Sequence, residues 1–258
     1  MRQPYGQNFL KDTSIAAAIV EALGIEQGDK VVEIGPGKGI LTSILASKDI
    51  ELTLIELDKN LAAKLMERYG SRANIKIVQA DFMNTALSPS LDTQKFISNL
   101  PYYISTAIIE KILTSHRWDV CVLMVQREVG QRMLAKISSK EYGYFSIFTQ
   151  YFAEISKVCS VKAGAFSPPP KVESVVLKFI NKRQNHPDQK IFELIKGVFT
   201  HRRKTILNAL SYSLDCKKSE ISDILAMLGI DPKLRPESLD FTSFNHLTSH
   251  LGKYIISS

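Results

Sequence analysis

Asn99-Leu100-Pro101-Tyr102 puts an amide, a stiff backbone segment and an aromatic ring on four consecutive residues. That set suits work on an exocyclic amine of adenine, whose lone pair is delocalised into the ring and must be drawn out before it can attack an electrophile. The amide oxygen of Asn99 and a neighbouring backbone carbonyl can accept the two amine hydrogens. Pro101 holds that carbonyl in direction by locking its own φ and restricting Leu100. Tyr102 offers a face for a base taken out of its helix. No general base is required, because the amine turns acidic only after the new group has arrived. A turn following a strand, with Tyr102 and Tyr103 as rim or core aromatics, would contain the same residue types for structural reasons alone.

A second stretch bears on the electrophile. Val31 to Thr42, VVEIGPGKGILT, reads as strand, loop and helix, with glycine at Gly35, Gly37 and Gly39. Glycines there let the backbone turn sharply and approach a ligand closely. The dinucleotide fingerprint G-x-G-x-x-G needs glycine at position 40, where this chain has Ile40. Acidic Glu33 before the loop, with Lys38 as the one cation to meet a phosphate, suits a cofactor that brings positive charge and no phosphates. S-adenosylmethionine (SAM) has that chemistry. A Gly-rich turn in an ordinary α/β fold remains the alternative for this loop taken alone.

The elements around these stretches alternate. Asp12 or Thr13 caps a helix running to about Leu23 and closed by Gly24. Then follow strand Lys30 to Ile34, helix Ile40 to Ser47, strand Glu51 to Ile55, helix Lys59 to Tyr69 and strand Ile75 to Val78. Strands near Lys95 to Ser98 and Val120 to Val125 flank a helix over Thr106 to Leu113, and Ala153 to Val161 and Ser174 to Phe179 suit a closing antiparallel pair. The fold class expected is α/β, a Rossmann-like doubly wound sheet. Ligands in such sheets lie outside the carboxyl ends of the strands. Those ends carry Gly35, Glu56, Asp81 and Asn99. Glu56 lies 21 residues after Gly35, close to the spacing of about 20 at which an acid takes both ribose hydroxyls. Asp81, followed by Phe82, can accept from an adenine amine while the ring packs on the base.

The 258 residues allow one sizeable domain and a small appendage. No apolar run approaches the roughly 20 residues needed to cross a bilayer, and the polar N-terminus has no signal-peptide core, so a cytoplasmic protein is expected. Cys121, Cys159 and Cys216 are far apart and without a C-x-x-C, which indicates neither disulfides nor a zinc site. Net charge is +7, with 12 Lys and Arg against 8 Asp and Glu from Asn181 onward. An anionic partner is favoured.

Over nearly its whole length the chain resembles the KsgA family of ribosomal small-subunit RNA adenine dimethyltransferases, relatives of the Erm methyltransferases. The likeness is carried by GQNFL at Gly6 to Leu10, EIGPGKG at Glu33 to Gly39, Glu56, Asp81, NLPY at Asn99 to Tyr102, IST at Ile104 to Thr106, VQREV at Val125 to Val129, FSPPPKVES at Phe166 to Ser174 and HRRKT at His201 to Thr205. Where the family usually has Asn after NLPY and a hydrophobic residue before the last loop glycine, this chain has Tyr103 and Lys38. Neither removes an atom the chemistry needs. The resemblance implies SAM-dependent N6 dimethylation of two adjacent adenines in the 3′-terminal hairpin of small-subunit rRNA, within ribosome biogenesis. It puts SAM on Asn8, Leu10, Gly35, Glu56, Asp81 and Asn99. The target base falls to Asn99, Leu100, Pro101 and Tyr102, with Phe166 bracketing it. The partner is small-subunit rRNA or the assembling small subunit. Dimethylation of one adenine in large-subunit RNA, or an assembly factor whose binding outweighs catalysis, are the competing readings.

After the polar stretch Asn181 to Pro187, apolar residues recur at helical spacing in Ile191 to Phe199, Ile206 to Leu214, Ile221 to Leu228 and Phe244 to Ile256. This divides the chain into a catalytic domain, 1–180, and a helical domain, 181–258, that recognises RNA. Arg202, Arg203 and Lys204 lie between the first two of these helices, where they can contact phosphates or cap a helix C-terminus. A monomer without membrane association is expected.

Overall fold

The computed structural model describes residues 8–85, 95–115, 118–183 and 187–255. Gly6, Gln7, Ile256 and residues 184–186 of the polar stretch lie outside them. The chain divides into two units, Met1–Gly130 with Ala153–Lys182, and Gln131–Phe152 with Arg183–Ser258.

In the first unit, β1 (Phe9–Leu10) leads into α1 (Thr13–Ala22), then β2 (Lys30–Ile34), α2 (Ile40–Leu45), β3 (Glu51–Glu56), α3 (Lys59–Tyr69), β4 (Ile75–Gln79), β5 (Lys95–Asn99), α4 (Ser105–Thr114) and β6 (Val120–Gln126). α5 (Arg127–Met133) and α6 (Tyr144–Phe152) precede β7 (Ala153–Val161), β8 (Phe166–Ser167) and β9 (Ser174–Asn181). Among the described residues one sheet has the order β4-β3-β2-β5-β6-β9-β7. β4 to β6 are parallel, and β9 is antiparallel to both β6 and β7. The order runs outward from β2 to β4 and then restarts with β5 on the other side of β2. Because the strand order reverses there, the β2/β5 junction is the topological switch point where a crevice opens.

Local chemistry sets the helix starts. Asp12 accepts from the Ser14 and Ile15 amides, and Asp58 from those of Asn60 and Leu61, so α1 and α3 begin on capped turns. The core combines Ile19 and Leu23 after α1's start, Leu41 and Leu45 of α2, and Leu52, Leu54, Ile97 and Val122 of the central strands. β1 pairs antiparallel with β8, Leu10 opposite Phe166, in a separate two-stranded sheet that the sequence pattern does not indicate.

The second unit contains α7 (Gln189–Thr200), α8 (Ile206–Ser213), α9 (Lys218–Met227) and α10 (Phe241–Leu251). Its core joins Ile195, Val198, Leu210, Leu225 and Phe244. Where sequence places the first 180 residues in one domain, residues 131–152 cluster instead with these helices. Phe148 lies 4.9 Å from Phe192 between ring centroids, and the Tyr142 hydroxyl donates to the Leu239 carbonyl. The physical reason is α6: its aromatic face is buried against α7, a partner distant in sequence.

The start of the switch-point strands is pinned by charge. Lys95 Nζ donates to the Gly24 carbonyl at 2.5 Å and to Asp29 Oδ2 at 2.6 Å, both side chains being about nine-tenths buried. Removing one partner of such a pair leaves a buried charge uncompensated. Lys95→Met should therefore cost about 3 kcal/mol in urea unfolding; an unchanged midpoint would show that the pair does not secure β5.

Candidate functional site

One pocket in the first unit opens at the carboxyl ends of β2, β3, β4 and β5, and Asn8, Leu10, Gly35, Glu56, Asp81, Asn99, Leu100, Pro101 and Tyr102 all line it. Glu33, Lys38, Phe82 and Tyr103 also border it. The switch point thus gathers side chains far apart in sequence, Asn8 and Asn99 being separated by 91 positions.

The glycine loop is built around a carboxylate. Gly35, Gly37 and Gly39 all have positive φ, +62°, +60° and +80°. A Cβ on Gly37 would stand 3.1 Å from the Phe9 ring, so the loop is closed to larger residues on steric as well as dihedral grounds. This shape turns the Gly37 N–H onto Glu56 Oε2 at 2.9 Å, while Oε1 accepts from the Asp58 N–H at 2.9 Å. Burial raises the Glu56 pKa against these two donors. Glu56 lines the pocket, and a carboxylate oxygen can accept more than one donor, which suits hydroxyls. Lys38 Nζ lies 4.7 Å over the Phe9 ring, a cation–π contact, rather than at a phosphate position.

Glu33, 1% exposed, accepts from Thr42 Oγ1 at 2.7 Å and so ties β2 to α2. Burial pushes its pKa up to about 8; the Thr42 hydroxyl opposes this and the Glu56 charge adds to it. After β4, Asp81 Oδ1 accepts from the Met83 N–H at 2.8 Å, and Oδ2 from Asn84 Nδ2 at 3.2 Å. Phe82 lines the pocket with its ring edge-on to Phe96, centroids 6.3 Å apart.

Asn99 ends β5. Its Nδ2 donates to the Asn8 carbonyl at 3.2 Å, which sets the planar amide so that Oδ1 is the end left for an incoming donor. The Leu100 N–H donates to the Met124 carbonyl at 3.1 Å, extending the β5–β6 ladder by one bond, and the Pro101 carbonyl accepts from the Ile104 N–H at 3.3 Å. Leu100 itself is buried. The Tyr102 hydroxyl shares a 2.6 Å hydrogen bond with Ser174 Oγ, and burial raises its pKa. Tyr103 is 64% exposed at the pocket mouth.

One expectation from sequence is placed elsewhere. Phe166 does not face the pocket: it is 1% exposed, paired with Leu10 in the two-stranded sheet and packed in the first unit's core, so its ring has no open face for a base. Arg202, Arg203 and Lys204 lie in the second unit after α7. There Arg202 Nη2 donates to the Lys140 carbonyl at 2.9 Å, while Arg203 and Lys204 are exposed. The sequence assigns no role to Ser174; the β6–β9 register that sets it opposite Gln126 is a long-range fact. Nor did it foresee Phe9 as the wall of the glycine loop, for which the bulky residue beside Asn8 was the available signal.

The pocket combines desolvated carboxyl groups, an amide oxygen and apolar walls. It suits a ligand that offers hydroxyls, an amine and positive charge, and with Lys38 turned to Phe9 it is poorly furnished for a pyrophosphate. SAM fits these donors and acceptors.

Comparisons with known proteins agree. A family model described as ribosomal RNA adenine dimethylase matches residues 1–249. A Moorella thermoacetica protein named ribosomal RNA small subunit methyltransferase A is 40% identical over 97% of this chain and 92% of its own. One of the same name from Acinetobacter baylyi is 38% identical over 97% and 92%. Among solved structures, a dimethyladenosine transferase from Plasmodium falciparum superposes with TM-score 0.81 at 27% identity, covering 95% of this chain and 98% of that one. The 23S rRNA methyltransferase ErmE shares the fold, with TM-score 0.69 at 24% identity over 95% and 99%.

The state of Glu33 is measurable. An acid that stays protonated when folded but ionises when unfolded withdraws stability as pH rises from its ordinary 4.5 to its folded value of about 8. Against Glu33→Gln, the parent should lose up to about 1.4 kcal/mol per pH unit across that window in urea unfolding. Parallel stability curves would contradict the buried, neutral Glu33.

Proposed function

The chain belongs to the ribosomal RNA adenine dimethylase family and is a ribosomal RNA methyltransferase, and we propose that its pocket binds SAM and that its substrate is a pair of adjacent adenines in the 3′-terminal hairpin of small-subunit rRNA. On this reading a monomer acts on the assembling small subunit in the cytoplasm. Among the described residues no helix is long and apolar enough to cross a membrane.

The observation that carries the reading is the setting of Asn99, whose amide nitrogen is committed to the Asn8 carbonyl and which lines the same pocket as Glu56 and Asp81. When bound, SAM supplies an electrophilic methyl group on a sulfonium. Glu56 would accept the ribose hydroxyls, Asp81 the adenine amine and Phe82 the ring, while Gly35 and Asn8 offer backbone near the amino-acid end and Leu10 an apolar wall. A cation beside Glu33 and Glu56 favours their ionised forms, reversing the effect of burial.

The chain's own residues then act on the target base. The Asn99 oxygen and a carbonyl of the Leu100–Pro101 segment accept the amine hydrogens and localise the nitrogen lone pair. Preorganised acceptors of this kind stabilise the positive charge that develops on nitrogen as it attacks. The Tyr102 ring, held by Ser174, stacks on the flipped base, and the proton released afterwards leaves through the accepting groups to water. In a second cycle on the same nitrogen the monomethylated amine has one hydrogen left, so a single acceptor aligns the lone pair.

At saturating SAM, Asn99→Ala should slow methyl transfer by on the order of 100-fold to 1000-fold, with subunit binding nearly unchanged. Transfer at the parental rate would overturn the role of Asn99; loss of subunit binding in step with activity would favour a binding factor over an enzyme.

The helical unit is proposed to meet RNA through Arg203 and Lys204, whose exposed ends suit phosphates. Replacing both by Ala should flatten the slope of log affinity against log salt by roughly 0.7 to 0.9 for each lost contact. SAM affinity should stay constant, and an unaltered slope would assign the pair to the helix terminus alone.

A further inference from the structure

Lys111 does not line the pocket, yet it is tied to the turn that does. It lies on α4, facing the chain that follows β4. Its ammonium donates to the carbonyls of Phe82 at 2.7 Å, Met83 at 2.7 Å and Thr85 at 2.6 Å. An ammonium has three donors, and here all three are matched. The same nitrogen lies 5.1 Å over the Phe82 ring. Burial lowers the Lys111 pKa, and the charge of Asp81 opposes that shift.

The turn is organised so that its carbonyls need such a partner. Its amides are satisfied from within: the Asn84 and Thr85 N–H groups reach the Asp81 carbonyl at 3.0 Å each, and the Met83 N–H reaches the Asp81 carboxylate. The Phe82 carbonyl also accepts from the Thr85 N–H at 3.2 Å, and together with the carbonyls of Met83 and Thr85 it converges on one spot. Converging carbonyls repel, and those of Met83 and Thr85, partly removed from water, need a donor. A single cation at their focus resolves both problems. Asp81, Phe82 and Met83, the residues of this turn that line the pocket, are held by what lies behind them.

We propose that Lys111 is a positioning residue for the adenine end of the cofactor, setting Asp81 and Phe82 through the three carbonyls without touching the ligand. This rests on the reading of the pocket as a SAM site. It assigns the cation of α4 a task separate from the chemistry, because Asn99 and Leu100 have anchors of their own in the Asn8 and Met124 carbonyls. The consequence is a split: loss of Lys111 weakens cofactor affinity and spares the rate at saturation.

The test is calorimetric titration of SAM and of 5′-methylthioadenosine, which keeps the adenine and ribose but lacks the amino-acid end, into the full chain carrying Lys111→Met, well below its unfolding temperature. The Kd of both ligands should rise about tenfold or more, the KM for SAM should rise with it, and kcat at saturating SAM with small subunits should stay within about twofold. Lys111→Gln, which is one atom shorter and supplies two donors and no charge, should give an intermediate Kd and decides the matter if Lys111→Met does not fold. Unchanged Kd values with a lowered unfolding temperature would overturn the proposal and make the contact merely structural, as would a fall in kcat with Kd unmoved. Glu56→Ala separates the two claims: if it binds SAM like the parent, the pocket reading fails; if it loses SAM while the Lys111 variants do not, the positioning role alone fails.

Discussion

The carboxylate of Glu56, buried at the end of β3 and bonded to the Gly37 and Asp58 amides, is the interaction on which the first unit's site depends. A carboxylate that is 3% exposed needs donors close at hand. The Gly37 N–H can supply one only if the loop takes left-handed backbone at Gly35, Gly37 and Gly39, which explains the glycines. Because Gly37 lacks a side chain, the Phe9 ring can lie against it, and β1 is in turn held by β8. That docking puts the Asn8 carbonyl where the Asn99 amide meets it. A sequence of short-range requirements thus links the cofactor end of the pocket to the residue that faces the base.

The sheet supplies what those contacts cannot. Parallel strands all end on one edge, so the residues following β2, β3, β4 and β5 share a crevice without any contact between them in sequence. This is why the acidic and amide residues were legible: each follows an apolar run of strand length, and the alternation with amphipathic helices leaves few other topologies. Lys59–Tyr69 follows the expected limits of its helix because Asp58 caps one end and the apolar period stops at the other.

What escaped the sequence is long-range in origin. Phe166 sits in a motif associated with the site, but its neighbour Leu10 turns it into the core, and only the β1–β8 pairing reveals that. Tyr102 reads as a stacking ring from its position after Pro101; that its hydroxyl meets Ser174 follows from how β9 registers against β6. The aromatic run of α6 carries no charge and little polarity to betray its partner, so a boundary drawn from the polar stretch at 181–187 missed that residues 131–152 cluster with the helices beyond it. Arg202 shows the same limit on the other side: a cation in a basic cluster spends its donor on a carbonyl, while Arg203 and Lys204 keep theirs in solvent.

The central claim, that this pocket aims a methyl group at adenines of small-subunit rRNA, is tested most directly by supplying the purified protein with methyl-labelled SAM and small subunits that lack these modifications, and mapping the labelled nucleotides. The account predicts label on N6 of two adjacent adenines in the 3′-terminal hairpin, progressing to the dimethylated base at both. Label confined to large-subunit RNA, or tight subunit binding with no label at all, would contradict it.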